Sequence, residues 1–163
     1  MAKNKEEKTN VMRVLEQKKI AYTPHSYPHE EGVAVDGVTV AQSMGFDPAI
    51  VFKTLVARGA SKQYYVFDVP VAENLDLKKA AKAVGEKSIE MIHQKELLPL
   101  TGYVHGGCSP VGMKKLFPTV FHSSAENLAA MIVSAGKIGY QVELAPHDLA
   151  ALVRAKYADI IVE

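Results

Sequence analysis

Lys53 interrupts an otherwise apolar run, Val51-Phe52-Lys53-Thr54-Leu55-Val56. A run of this composition reads as a buried strand, so its lysine either sends its head to solvent or lines a cavity. Alternation places Lys53 on one strand face with Val51 and Leu55. If that face is interior, the ammonium needs an anion or a polar pocket. A second candidate is Gly106-Gly107-Cys108-Ser109-Pro110. Paired glycines let the backbone approach a ligand closely. Their N–H groups can then hold a phosphate or a developing oxyanion. The same residues also make an ordinary turn. Ser134-Ala135-Gly136-Lys137-Ile138-Gly139 invites the same two readings. It lacks the spacing and the Gly-Lys-Ser/Thr ending of a Walker A loop.

The other chemistry-bearing residues exclude several reaction classes. Six histidines (His25, His29, His93, His105, His122 and His147) form no His-Glu-x-x-His, and a single cysteine allows no Cys-x-x-Cys. Pro28 lies between His25 and His29, which argues against a helix carrying both. Neither a metal site nor a cofactor is expected: no Gly-x-Ser-x-Gly elbow and no dinucleotide fingerprint is present. Cys108 has His105 close in sequence, but folds, not sequence proximity, bring nucleophile and base together. A lone cysteine reads more simply as a small buried hydrophobe.

The elements that must position these residues alternate and are short. Residues 9–19 have apolar positions at helical spacing, with Thr9 or Asn10 as N-cap. Ile20 to Tyr27 reads as a strand broken by Pro24. Thr39 to Met44 is a short helix ended by Gly45. Residues 28–37, rich in Glu and Gly, form the longest irregular stretch, a length that is often functional. Ile50–Ala57 and Gln63–Val69 form a hairpin across Arg58–Lys62. Asp76 caps a helix from Leu77 to Val84, stopped by Gly85. Ser88–Ile92 is a short strand, and Lys95–Leu98 a helical turn before Pro99. Strands follow at Tyr103–His105, Thr119–His122, Met131–Ser134, Tyr140–Leu144 and Ala158–Val162. Pro146 opens a helix running to Val153. The expected fold is mixed α/β: a curved, partly barrel-like mixed β-sheet surrounded by helices.

Length and composition bound the rest. The 163 residues suit one domain, 1–163, with residues 1–8 fraying. Apolar residues at 48% and charged residues at 23% are those of a folded globular chain. No apolar run approaches the roughly 20 residues that span a bilayer. The charged start, Met1 to Lys8, has no apolar stretch behind it and does not read as a signal peptide. Together with the lone cysteine, this points to the cytoplasm. A net charge of +1 argues against affinity built on broad phosphate neutralisation. Lys78, Lys79, Lys82 and Lys87 form one group and Lys114-Lys115 another. They read as solvated helix faces or as a modest nucleic-acid patch.

Several segments together resemble the YbaK/EbsC-type aminoacyl-tRNA deacylases, relatives of the editing domain inserted in bacterial prolyl-tRNA synthetases. They are His25-Ser26-Tyr27, Val51-Phe52-Lys53-Thr54-Leu55, Leu75 to Lys82, Thr101-Gly102-Tyr103, Gly106-Gly107-x-Ser109-Pro110-x-Gly112-x-Lys114-Lys115, Val133-Ser134-Ala135-Gly136-Lys137-x-Gly139 and Val142-Glu143-Leu144-x-Pro146-x-Asp148-Leu149. They keep the family's order from about Val11 to Ile161. The resemblance implies trans-editing of Cys-tRNA(Pro), and to some extent of Cys-tRNA(Cys). The need for it is physical: a pocket for proline cannot reject a near-isostere by more than about 1–3 kcal/mol. The implied partners are the aminoacylated 3′ end of tRNA and prolyl-tRNA synthetase. Lys53 matches the family's essential lysine and Tyr27 a pocket residue. Gly106, Gly107 and Ser134 would hold the aminoacyl end, with Ser109, Pro110, Gly136 and Gln141 in the same substrate-binding segments. In this family the substrate's own thiol is the expected nucleophile, which suits a chain without a triad. The chain departs from better-known members in two places. It has Gly32-Val33-Ala34-Val35 where they carry an aromatic residue, and Cys108 where they carry an aliphatic one. The first leaves a deacylase for another small amino acid, such as alanine, as the alternative. A non-catalytic binder of tRNA ends or nucleotides is the alternative of another class.

Overall fold

Residues 8–163 are described by a computed structural model of the chain. The start of the chain, where fraying was expected, lies outside the described residues except for Lys8. Among the described residues, five α-helices and eight strands follow one another in short alternation, with two short 3-10 turns at Pro48–Ile50 and Ser123–Asn127. Helix α1 (Asn10–Gln17) starts where the Thr9 hydroxyl accepts the Met12 N–H, and it buries Val11, Met12 and Leu15. Strand β1 (Thr23–Ser26) comes next, then α2 (Gly37–Met44), capped by Asp36 and closed by Gly45 at φ +79°. The hairpin β2 (Phe52–Gly59) and β3 (Tyr64–Pro70) runs in register from Phe52↔Pro70 to Arg58↔Tyr64. Asp76 accepts the Lys78 and Lys79 N–H groups and starts α3 (Leu77–Val84). Then come β4 (Ile89–Met91), α4 (Gln94–Thr101), β5 (Thr119–His122), β6 (Met131–Ser134), β7 (Tyr140–Leu144), α5 (Pro146–Val153) and β8 (Lys156–Ala158).

The expectation of a mixed α/β chain holds, but the strands divide between two sheets. One is antiparallel, in the order β1-β7-β6; the other is mixed, in the order β4-β2-β3-β5-β8. They meet at a parallel bridge between Val51 and Ile132. The main apolar core gathers α1, one face of the β2–β3 hairpin, β6, β7 and α5, with Leu15, Phe121, Met131 and Leu149 fully buried. A second core lies under α3 on the other hairpin face, around Phe67, Val69, Ala80 and Ile160.

Three local expectations shift. Residues 103–105 are irregular rather than a strand: their β-prone side chains have no strand beside them, and the Tyr103 ring serves instead as core. Helix α4 runs through Pro99 to Thr101 instead of stopping before it. The proline removes one helical N–H, but the Thr101 hydroxyl bonds the Leu97 carbonyl and the Gly102 N–H the Leu98 carbonyl, so the last turn is closed. The last strand, β8, is Lys156–Ala158, and only Ile161 forms a further bridge, to Leu75.

Candidate active site

The free edge of β2 creates the site. Strand β4 pairs with Ala57, Arg58 and Gly59 only, and β6 reaches this edge at Val51. Of the five residues between, Val56 accepts the Ile92 N–H, but Phe52 to Leu55 have no strand beside them there, and a cavity of about 290 Å³ opens along them. An unpaired edge is ordinarily a liability because its backbone groups seek a partner. Here it is walled in by the end of β6, the 35–40 segment, Leu97 of α4 and the loop at residues 105–108.

Five of the nine residues singled out from the sequence line this cavity: Lys53, Tyr27, Gly106, Ser134 and Gln141. Lys53 is half-buried and makes no ion pair or hydrogen bond among the described residues. Burial lowers the pKa of its ammonium, and the charge of Glu73 opposes that shift. Tyr27 is buried on the strand-like segment after β1, tied by its N–H to the Gly139 carbonyl at 3.0 Å. Burial raises the pKa of its phenol, which therefore stays a neutral donor. Ser134 accepts the Gly136 N–H at 3.1 Å, which leaves its own proton to donate. Gln141 sits beside Ser134 in the β6–β7 register, and its Oε1 is buried without a hydrogen-bond partner among the described residues. Gly106 is at φ +91°, and a Cβ there would lie 2.8 Å from that of Ala34. The loop that departs from the better-known relatives is therefore packed directly on the glycine turn, and its Val35 reaches the cavity.

The other four do not line the cavity. Gly107 backs onto residues 137 and 138, where a Cβ would come within 3.1 Å of the Ile138 nitrogen. Ser109 is fully buried and accepts the Val111 N–H at 3.2 Å, and Pro110 is buried beside it. Gly136, at φ +92°, packs on Tyr103 and Val11. These four shape the turns that carry the lining residues.

The fold brings three further groups here: Thr54 and Asp68, to which the sequence assigns no role, and Cys108, which it marks as a small buried hydrophobe. Thr54 lines the cavity, and its hydroxyl donates to Asp68 Oδ1 at 2.5 Å from the facing position on β3. Asp68 is fully buried, and desolvation pushes its carboxyl up to about 7 against the pull of Thr54. The third is Cys108, whose thiol lines the cavity from the main core. Desolvation, then the charge of Asp68, pushes it up to about 12, so it stays neutral and is a poor nucleophile. A signal for Asp68 was present: it interrupts Tyr65-Val66-Phe67-Asp68-Val69 as Lys53 interrupts its own strand. Among the described residues, no group of three or more His, Cys, Asp or Glu side chains could hold a metal ion. None of the helices there is long and apolar enough to cross a membrane.

A two-sheet α/β unit with a lone ammonium, a close-packed glycine turn and hydroxyl groups around one cleft is suited to holding an acyl ester. Residues 32–152 match the family model for the aminoacyl-tRNA editing domain, and the chain belongs to that family. The expectation of an aminoacyl-tRNA deacylase is met at that level. A protein of Enterococcus faecalis named as a Cys-tRNA(Pro)/Cys-tRNA(Cys) deacylase, EbsC, is 45% identical over 161 residues, covering 98% of both chains. A solved structure described as a trans-editing enzyme for prolyl-tRNA synthetase is 25% identical, with a TM-score of 0.79 over 94% of this chain and 95% of that one. A hypothetical protein, 18% identical, has a TM-score of 0.82 over 93% of this chain and 99% of the other, which speaks for the fold alone.

Proposed function

We propose that this protein deacylates mischarged tRNA in trans, with Cys-tRNA(Pro) as its main substrate and Cys-tRNA(Cys) as a lesser one. The observation that carries the reading is the half-buried ammonium of Lys53, without an ion-pair partner among the described residues, in a cavity shared with Tyr27, Gly106, Ser134 and Gln141. The names of the two relatives support the substrate, and they support prolyl-tRNA synthetase as the source of the misacylated tRNA. A reduced thiol at Cys108 and a tRNA substrate both suit the cytoplasm.

Lys53 polarises the ester carbonyl or anchors the terminal phosphate, and the Ser134 and Tyr27 hydroxyls orient the acyl group. The substrate's thiol attacks its own carbonyl. A carbon–sulfur bond forms, the bond to the ribose oxygen breaks, and the thiol proton ends on that oxygen. The cavity wall offers no ionised nucleophile of its own, since Cys108 is held neutral. An activated ester with its nucleophile attached has a large proximity advantage.

Offering Cys-, Ala- and Ser-tRNA(Pro) in parallel tests this. Cysteine should be released fastest, and serine, which replaces sulfur by a weakly acidic hydroxyl, roughly 100-fold or more slower. Equal rates for the three, or preference for alanine, would replace the cysteine reading. The tRNA body can rest on Lys78, Lys82 and Lys87, which border a groove beside α3 and form no ion pair among the described residues. Lys79 differs, being held by Asp159 and Glu163. With about three phosphates neutralised, log affinity for tRNA should fall with log salt at a slope of about −2 to −3. A flat salt dependence removes this surface from the account.

A further inference from the structure

The cavity's unmet capacity lies on the acceptor side. Thr54 gives its only proton to Asp68, so its oxygen faces the cavity with lone pairs and no hydrogen. Gln141 Oε1, also on the wall, has no donor among the described residues. Behind Thr54, Asp68 Oδ2 is buried and equally without a partner. Lys53 does not supply the missing cation. It alternates to the opposite face of β2 from Thr54, and the carboxylate it senses is Glu73. A buried carboxylate with one hydrogen bond and no cation is an expensive arrangement unless a ligand completes it.

An aminoacyl ester carries the group that would complete it. Its α-ammonium has three donors and a positive charge, and it lies one carbon from the carbonyl that Lys53 would polarise. We propose that Asp68, through the Thr54 hydroxyl, is a positioning residue that seats the substrate's α-ammonium, so that the site favours acyl groups with a free α-amine. This rests on the deacylase reading above. Lys53 then marks the electronegative end of the acyl group and Thr54 the electropositive end, which fixes the acyl group's orientation in the cleft.

The test compares Cys-tRNA(Pro) with the same tRNA carrying 3-mercaptopropionate, which is cysteine without its amine and keeps the thiol. Wild-type protein should prefer the cysteinyl ester in kcat/KM. Asp68→Asn keeps the acceptor for Thr54 but removes the charge; it should cut that preference about tenfold, through KM for the amine-bearing substrate. Thr54→Val should do the same, Thr54→Ser should retain the preference, and the double variant should lose no more than either single one. Melting curves confirm that each variant is folded; should Asp68→Asn fail to fold, Thr54→Val against Thr54→Ser decides alone. A preference unchanged in Thr54→Val, or both substrates weakened equally, overturns the inference while the deacylase reading stands. Wild-type protein that releases neither substrate overturns both.

Discussion

Replacing Lys53 by alanine should lower kcat/KM for Cys-tRNA(Pro) by about 100- to 1,000-fold, the usual cost of removing one preorganised donor from a developing oxyanion. The melting temperature should hardly move. The ammonium has no ion-pair partner among the described residues to lose, and burial already works against its charge. Lys53→Arg should not restore the rate, because a planar fork on a longer stem cannot occupy the position of a compact ammonium. Release of labelled cysteine from purified tRNA measures the rate, and a thermal melt of the same samples measures the fold. The depressed pKa has its own signature: the alkaline fall in activity should come below the ordinary lysine range. An alanine variant with undiminished turnover would remove Lys53 from the chemistry. A variant that has lost both rate and fold would make it structural.

How legible the molecule is from its residues depends on how local the cause is. The α3 boundaries follow from Asp76 and Gly85, each acting within one turn of the chain, and the structure keeps them. The β2–β3 hairpin follows from two β-rich runs around a short joint. Pairing partners are a different matter. Nothing in Met131–Ser134 or Tyr140–Leu144 says that these strands join β1 in a sheet of their own, because register is settled by contacts distant in sequence. Tyr103 to His105 has strand-like residues and no neighbour to pair with. Lys53 was visible because a charge in an apolar run demands a reason. The open edge between β4 and β6, which turns that charge into part of a cavity, was not, since it is a property of two sheets meeting. Ser109 shows the reverse case. It sits in a motif that looks chemical, yet its hydroxyl holds the Val111 N–H inside the core.

Asp68 should make the folded protein less stable as pH rises from 4 to 8, and Asp68→Asn should remove that dependence. Its carboxyl is raised from 3.8 to about 7 by complete burial. Below 3.8 both folded and unfolded chains hold the proton, and the group costs nothing. Between that value and about 7 the unfolded chain releases its proton while the folded one keeps it, so each step up in pH favours unfolding. Above about 7 both forms are ionised and the penalty is complete, at about 4 kcal/mol for a shift of this size. For a chain of this length that is on the order of 10 °C in melting temperature. Carboxyls held low by hydrogen bonds, such as Asp36, Glu86 and Glu96, pull the other way, but their window lies at and below the usual carboxylate range. The difference between wild-type and Asp68→Asn curves therefore isolates one residue, whatever the amide costs in absolute stability. Urea melts at pH 4, 6 and 8 would measure it, and parallel curves would show that Asp68 carries no such shift. A fold that tolerates this penalty at neutral pH keeps a negative charge one hydroxyl away from its ligand. A bound ammonium group would offset the penalty. Stabilisation by a cysteine ester analogue should then be greater at pH 7, where the carboxyl is substantially ionised and the ligand amine still partly protonated, than at pH 5, and Asp68→Asn should abolish that difference.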